Sequence, residues 1–180
     1  MCPYAFLFFT TNIFRMLSFE TMLYRLAAAV VLGIIVGFQR EYVGKEAGIR
    51  TNMIVAAGSA IFAMISLVIP YIAGVSEETI QNTLPDRVLS NIVVGVGFLG
   101  AGIIIKEGLR VRGLTTAATV WYVAAIGALC GIGLIRFATV AAIGAAALLF
   151  TFRKIDTFKF FGLEKKREED DEENQNGNSA

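Results

Sequence analysis

The sequence predicts an all-α fold: a polytopic membrane helical bundle of about five transmembrane helices, with the N-terminus outside and the C-terminus inside. Apolar residues make up 56% of the 180 residues. The mean hydropathy of +0.64 is well above that of an ordinary soluble domain. The apolar residues are gathered into five runs that lack charged side chains, and the lysines and arginines between these runs fall mainly on one side.

The five uncharged runs are the candidate transmembrane helices, and they cover residues 26–38, 51–76, 88–105, 113–135 and 137–152. Crossing a bilayer takes about 20 residues of helix, because lipid leaves the backbone to satisfy its own hydrogen bonds. The second, third and fourth runs are long enough. The first is long enough only if Arg25 lies within the helix and reaches outward, or if Gln39 and Arg40 lie at the opposite boundary. Arg136 marks the turn of a tight hairpin between the last two helices.

The positive charges set the orientation. With the N-terminus outside, the inner segments hold 12 of the 16 lysines and arginines. This asymmetry follows the positive-inside rule and predicts a multi-pass protein with an inner C-terminus. The net charge of +1 therefore hides a difference between two sides of a membrane, and no nucleic-acid partner is predicted.

Three parts of the chain are predicted to differ in organisation. Residues 1–20 form an N-terminal extension that is disordered or not part of the native chain. Its first ten residues are a poor signal peptide, since they lack a basic leading region and a cleavage site, and Met16 offers an alternative natural start. Residues 21–152 form the transmembrane domain. Residues 153–180 form a charged cytoplasmic tail that is disordered from about residue 164, where apolar residues run out.

The residue types present argue against catalysis. The chain contains no histidine, and its two cysteines, Cys2 and Cys130, lie in no recognisable metal motif. Cys130 stands inside an apolar helix, where a free thiol packs as a small hydrophobic group. No nucleophile–base pair and no metal cluster is visible, so the protein is predicted not to be an enzyme.

Glycines mark two helices for close packing. The first helix carries a GxxxG pair, Gly33 and Gly37, which lets another backbone approach. The third carries four glycines: Gly95, Gly97, Gly100 and Gly102. Their predicted role is helix packing, and the alternative is that they expose backbone carbonyls along a narrow path.

Two inner loops share an order of charge pair, basic residue, glycine and polar helix cap. In the first, Thr51 or Asn52 is the predicted cap, and in the second, Thr115 or Thr116 follows Gly113. The first loop carries five charged residues: Arg40, Glu41, Lys45, Glu46 and Arg50. Both loops are therefore candidates for polar function at the inner surface.

The outer loop before the third helix carries Asp86 and Arg87. Asp86 is predicted to cap or neutralise the positive end of that helix. As an alternative, Asp86 and the amide of Asn91 hold a hydrated Mg²⁺, which keeps several waters and needs few carboxylates. No cofactor is predicted beyond this open alternative.

Two long segments resemble the MgtC/SapB family of bacterial inner-membrane proteins. They read GFQREYVGKEAGIRTNMIVAAGSAIF and DRVLSNIVVGVGFLGAGIIIKEGLRVRGLTTAATVWYVAAIGALCGIG, and the match covers residues from about 25 to 150. The resemblance implies about five transmembrane helices, the orientation given above and an inner-membrane location. It also implies the short SapB-like form, without the soluble domain that follows the membrane region in MgtC-type members.

The family signature falls on named positions of this chain. Its polar residues are Arg40, Glu41, Lys45, Arg50, Thr51, Asp86 and Arg87, and its glycines are Gly95, Gly97, Gly100 and Gly102, followed by Gly113, Thr115 and Thr116. Asn91 stands where many relatives carry glutamine, so an amide is kept.

The resemblance implies a regulator of adaptation to magnesium limitation, acid or intracellular stress that acts through intramembrane helix contacts. For MgtC-type members the resemblance implies inhibition of the F-type ATP synthase. Whether the chain also forms a homo-oligomer is left open at this point. The alternative is a divalent-cation transporter or channel subunit. That reading is weakened because helices two to four carry no charged residue in their central turns, whereas ion pathways use polar ligands at depth.

Overall fold

The computed structural model describes residues 18–72, 85–107 and 110–154. Its helices are α1 (Phe19–Tyr42), α2 (Ile49–Ile72), α3 (Pro85–Ile103), α4 (Leu114–Ile132) and α5 (Ile135–Lys154). The predicted all-α membrane bundle is confirmed, since α1, α2, α4 and α5 contain apolar stretches long enough to span a membrane and α3 contains the shorter apolar stretch Arg87–Ile103. Residues 1–17 of the predicted extension and the tail from residue 155 lie outside the described residues.

The first helix begins inside the predicted extension. Ser18 is its N-cap, and the Thr21 backbone N–H donates to Ser18 Oγ over 3.3 Å. This bond satisfies one of the donors that a helix leaves open at its start. The chain divides into two compact units, Met1–Ala146 and Ala147–Ala180, and the packing described below lies in the first.

Helices α1, α2 and α4 form the centre of the first unit, and α5 adds two alanines to it. The shared buried cluster consists of Ala29, Leu32, Val36, Ala56, Ala60, Val123, Ile126, Cys130, Ala138 and Ala142. Half of these residues are alanines, which let the helices approach closely without bulky side chains. Cys130 is free and buried among them, as predicted from its apolar surroundings.

Glycines make the closest helix contacts. A methyl group at Gly33 would lie 2.8 Å from the Asn52 carbonyl oxygen, and one at Gly37 would lie 2.7 Å from Ile49 Cα. The predicted packing of the GxxxG pair is therefore confirmed as a contact between α1 and α2. Two glycines of α4, Gly127 and Gly131, approach the α2 backbone in the same way, although the sequence reasoning did not select them.

The glycines of α3 behave differently. Gly100 is buried, and a methyl group there would lie 3.6 Å from Ala117 Cβ on α4. Methyl groups at Gly95, Gly97 and Gly102 would meet no atom within 4 Å in the described part of the chain. The close packing predicted for these three residues is thus not found within the chain, because α3 turns only its Gly100 and Val96 side toward α4.

A short β hairpin joins α3 to α4, where the sequence predicted only a basic turn. Strands β1 (Ile105–Glu107) and β2 (Arg110–Arg112) pair antiparallel, with Ile105 opposite Arg112. Gly113 follows with φ of +86°, a left-handed conformation. A methyl group at Gly113 would also collide with the Ile103 carbonyl oxygen, so only glycine fits this junction.

The predicted tight connection between the last two helices is present. Helix α4 ends at Ile132, Gly133 adopts φ of +95°, and α5 begins at Ile135. The Gly133 and Leu134 backbone N–H groups donate to the carbonyls of Cys130 and Leu129. These paired bonds close the end of α4 in a Schellman-type cap.

Candidate functional site

Two arginines of α1 are buried inside the bundle, one near each end of that helix. Arg25 is 6% exposed and Arg40 is 4% exposed. Arg25 does not reach outward, which was one of the two predicted arrangements, because its guanidinium turns toward α4. Arginine is rarely buried to this extent unless its charge is paired, so the surroundings of each guanidinium are informative.

Arg25 lies at the C-terminal end of α4. Its Nη1 donates to the Gly131 carbonyl oxygen over 2.9 Å. The C-terminal end of a helix carries partial negative charge, so a cation is favourable there. Gly133 leaves the space for the guanidinium, since a methyl group at this position would lie 3.0 Å from Arg25 Nη2. Arg25 therefore has a structural role as a charged cap.

Arg40 lies at the opposite end of α4. Its Nη2 donates to Thr116 Oγ1 over 2.6 Å, and Thr116 belongs to the first turn of that helix. This end carries partial positive charge, which repels a guanidinium. Arg40 Nε is buried and has no hydrogen-bond partner among the described residues. The buried cation is therefore only partly satisfied by a neutral hydroxyl.

The N-terminus of α4 is also left without a side-chain cap. Its N-cap residue is Gly113, and the Ala117 N–H donates to the Gly113 carbonyl oxygen. The prediction that Thr115 or Thr116 caps this helix is wrong, because Thr115 is exposed and Thr116 Oγ1 accepts from Arg40 instead. The amides of the first turn precede the first intrahelical bond and remain available to a ligand.

The N-terminus of α2 is capped by a residue that the sequence reasoning did not assign to it. Glu41 Oε2 accepts from the Ile49 backbone N–H over 3.0 Å. The prediction that Thr51 or Asn52 caps α2 is therefore wrong. Asn52 Nδ2 instead donates to the carbonyls of Ala47 and Gly48, over 2.5 and 2.9 Å.

Asn52 holds a strained loop in place. Ala47 has φ of +56°, which is left-handed and unfavourable for a residue with a side chain. Asn52 itself is fully buried, and its Oδ1 has no partner among the described residues. The α1–α2 loop is thus fixed by two side chains, Glu41 and Asn52, next to the end of the bundle that holds Arg40.

The other predicted site residues lie outside this buried group. Lys45, Arg50 and Thr51 are exposed on the α1–α2 side, and Arg87 is exposed on α3. Asp86 lies in the first turn of α3, at the predicted helix start, but its side chain is outside the described residues. Within residues 18–72, 85–107 and 110–154, no three histidine, cysteine, aspartate or glutamate residues come together as a metal site. Magnesium binding at Asp86 remains a prediction.

An apolar cavity of about 600 Å³ lies between α2 and α3. Its lining residues include Gly58, Ser59, Phe62, Asn91, Gly95 and Leu99. Asn91 is exposed, so the predicted functional amide lies on an open surface rather than among the buried polar groups.

Comparison with known proteins adds to this description. The model of the MgtC family matches residues 26–158. Protein MgtC of Brucella abortus (strain 2308) is 50% identical over 118 residues, which are 66% of this chain and 45% of that protein. Protein MgtC of Salmonella typhimurium (strain 14028s / SGSC 2262) is 44% identical over 129 residues, 72% of this chain and 51% of that protein.

The chain spans about half the length of the curated relatives it matches. No solved structure matches it. The family match covers most of the described helices, including all of α4 and its partner Arg40. It begins one residue after Arg25, the other arginine in contact with α4. The chain belongs to the MgtC family.

Proposed function

We propose that this protein is a membrane-embedded regulator that binds a transmembrane helix of another protein through one face of α3. The observation that carries this proposal is the open face of α3, formed by Asn91, Gly95 and Gly102. Spacings of four and seven residues place these three on one side of the helix. All three are exposed.

The chemistry of this face suits helix association in a membrane. Small residues let two backbones approach, and an amide supplies an interhelical hydrogen bond. Gly95 and Asn91 also line the cavity between α2 and α3, which offers room for side chains of a second helix. In contrast, the space beside Gly33 and Gly127 is already filled by residues of α2.

The family relation supports a role in adaptation. The relatives are named Protein MgtC, and the resemblance implies adaptation to magnesium limitation, acid or intracellular stress. It also implies a membrane subunit of the F-type ATP synthase as a partner. We include both in the proposal, with the bacterial inner membrane as the location.

The alternative, transport of a divalent cation, has less support from the described residues. The buried charged side chains among them are Arg25 and Arg40. Both are positive and would repel a divalent cation in a medium of low dielectric constant. A path along α1 and α4 is therefore unfavourable for Mg²⁺.

Site-directed crosslinking tests the helix-binding proposal. In a Cys2→Ser background, Gly95→Cys and Gly102→Cys place thiols on the open face, where no atom lies within 4 Å. Val140→Cys on α5 is the matched control, because Val140 is 69% exposed and belongs to another helix. Cys130 is fully buried and can stay.

The expected crosslinked product contains an F-type ATP synthase membrane subunit at both glycine positions and not at position 140. Equal products at all three positions, or self-dimers alone, would contradict the hetero-partner. In proteoliposomes loaded with a magnesium-sensitive dye, we expect no protein-dependent flux. Flux that requires the protein would replace this proposal with the transporter alternative.

A further inference from the structure

We propose that Arg40 and the first turn of α4 form a binding site for a phosphate-like oxyanion. The site lies at the end of the bundle formed by residues 43–48, 104–107 and 110–113, which we call the basic end. This site is separate from the open face of α3, because it consists of other residues on other helices.

The first step is the unpaired charge. Arg40 is buried, and within the described parts of the chain its Nε has no partner and its guanidinium makes one hydrogen bond, to the neutral Thr116 hydroxyl. A buried charge without a counter-charge lowers the stability of the folded protein, because the charge has lost its hydration. An anion bound beside the guanidinium would remove this penalty.

The second step is the helix end. Helix α4 has 19 residues and starts without a side-chain cap. Its first-turn amides and partial positive charge favour an anion, which is the same preference that the guanidinium has. The start of α4 and the Arg40 guanidinium thus meet at Thr116, and neither has an anionic partner among the described residues.

The third step concerns the carboxylates that could have served. Glu41 is engaged by the Ile49 N–H at the start of α2. Glu46 acts on Arg40 electrostatically but is exposed in the loop, and no carboxylate of the described residues forms an ion pair with Arg40. The described residues therefore supply no ion-pair partner to Arg40.

The fourth step is the class of ligand. Arginine presents a planar fork that matches the oxygens of phosphate, and the fork of Arg40 is only partly used, since its Nε has no hydrogen-bond partner among the described residues. Exposed cations lie near the basic end: Lys45 in the α1–α2 loop, Arg50 in the first turn of α2, and Lys106 and Arg112 in the hairpin. Basic groups at an inner membrane boundary attract phospholipid headgroups. Inorganic phosphate and the phosphate of an anionic phospholipid share this chemistry.

Thermal unfolding of the full chain in an uncharged detergent tests the site. One arm adds inorganic phosphate at constant ionic strength, with chloride as the balancing anion. The other arm adds phosphatidylglycerol, with phosphatidylcholine as its control. We expect the unfolding midpoint to rise and saturate with at least one probe, as ligand binding to the folded state requires. A rise with phosphate indicates a soluble oxyanion, and a rise with phosphatidylglycerol alone indicates a headgroup.

Two arginine variants make the test specific. Arg40→Gln is expected to weaken the apparent affinity at least tenfold, whereas Arg25→Gln, on the same helix and equally buried, is expected to keep it. If Arg40→Gln does not fold, Arg40→Lys keeps the charge and loses the fork, and it should weaken the affinity at least threefold. The proposal is overturned if neither probe shifts the midpoint, or if the shift survives in the Arg40 variants and so arises from the exposed cations.

Discussion

The two ends of α4 show how one bundle treats a buried arginine in opposite ways. At the C-terminal end, Arg25 donates to Gly131 and the chain closes with paired backbone bonds at Gly133. At the N-terminal end, Arg40 contacts Thr116 and retains an unpaired Nε, beside a helix start with no side-chain cap. At the C-terminal end of α4, the described residues supply hydrogen-bond partners for the arginine and for the helix end. At the N-terminal end, they leave Arg40 Nε without a partner and the helix without a side-chain cap.

This difference separates structure from function along a single helix. A cation is favourable at the negative end of a helix and unfavourable at the positive end. Arg25 is therefore explained by stability alone. Arg40 is not, and polar groups left unsatisfied in an otherwise well-packed protein are expected at functional sites. Four predictions break or sharpen this comparison.

The largest effect is expected for Gly131→Val, which disrupts the C-terminal end of α4, where Arg25 is hydrogen-bonded. Its Cβ would lie 2.5 Å from the Ala60 carbonyl oxygen and 2.7 Å from Ala63 Cβ. Overpacking of this kind typically lowers the free energy of unfolding by about 3 kcal/mol, and here the Arg25 bond is displaced as well. The measurement is the unfolding midpoint in detergent. Gly144→Val on α5, where a methyl group meets no atom within 4 Å, is the control and should stay near wild type.

The paired substitutions Arg25→Met and Arg40→Met test the comparison directly. Arg25→Met removes a hydrogen bond to a charged donor and leaves the Gly131 carbonyl unpaired, which should lower the free energy of unfolding by about 2 kcal/mol. Arg40→Met removes a buried unpaired charge, so without phosphate or anionic lipid it should unfold at or above the wild-type temperature. Equal losses in both variants would show that the two ends do not differ.

The membrane fold could be predicted because its signals are local. Uncharged runs, their lengths and the loop charges are all read within one segment, and they predicted five helices. Four of these have nearly the observed bounds, whereas α1 (Phe19–Tyr42) extends well beyond the uncharged run 26–38. The contact made by Gly33 and Gly37 also followed from spacing. The same spacing at Gly127 and Gly131 was overlooked, although a GxxxG pair was visible there.

The parts that were not predicted depend on distant neighbours. Arg40 and Thr116 are 76 positions apart, and Arg25 and Gly131 are 106 apart. Nothing in either local sequence says which helix receives the guanidinium. In the same way, Gly95 and Gly127 stand in similar apolar surroundings, but only Gly127 is in close contact with the α2 backbone, whereas Gly95 lines the cavity between α2 and α3. The helix caps were predicted wrongly for a related reason. The carboxylate that accepts from the Ile49 N–H belongs to Glu41, a residue of the preceding helix.

A smaller effect is expected for Glu41→Gln, which weakens the anchored start of α2 beside Arg40. The variant replaces a carboxylate that accepts from the Ile49 N–H. Loss of a helix cap typically lowers the free energy of unfolding by about 1 kcal/mol, and the retained amide oxygen should reduce this loss. Glu46→Gln, in an exposed loop position, is the matched control. Thermal unfolding of both variants should show a lower midpoint for the Glu41 variant only.

The smallest effect, with opposite sign, is expected for Ala47→Gly. Glycine adopts φ of +56° without the side-chain penalty, so this variant should gain about 0.5 kcal/mol of unfolding free energy. Gly44→Ala, at φ of +67° in the same loop, should lose about 1 kcal/mol for the same reason. The informative measurement is the phosphate or phosphatidylglycerol titration on Ala47→Gly. Higher stability with weaker binding would show that the strained loop holds the Arg40 end in its binding form, whereas unchanged binding would assign the strain to the loop alone.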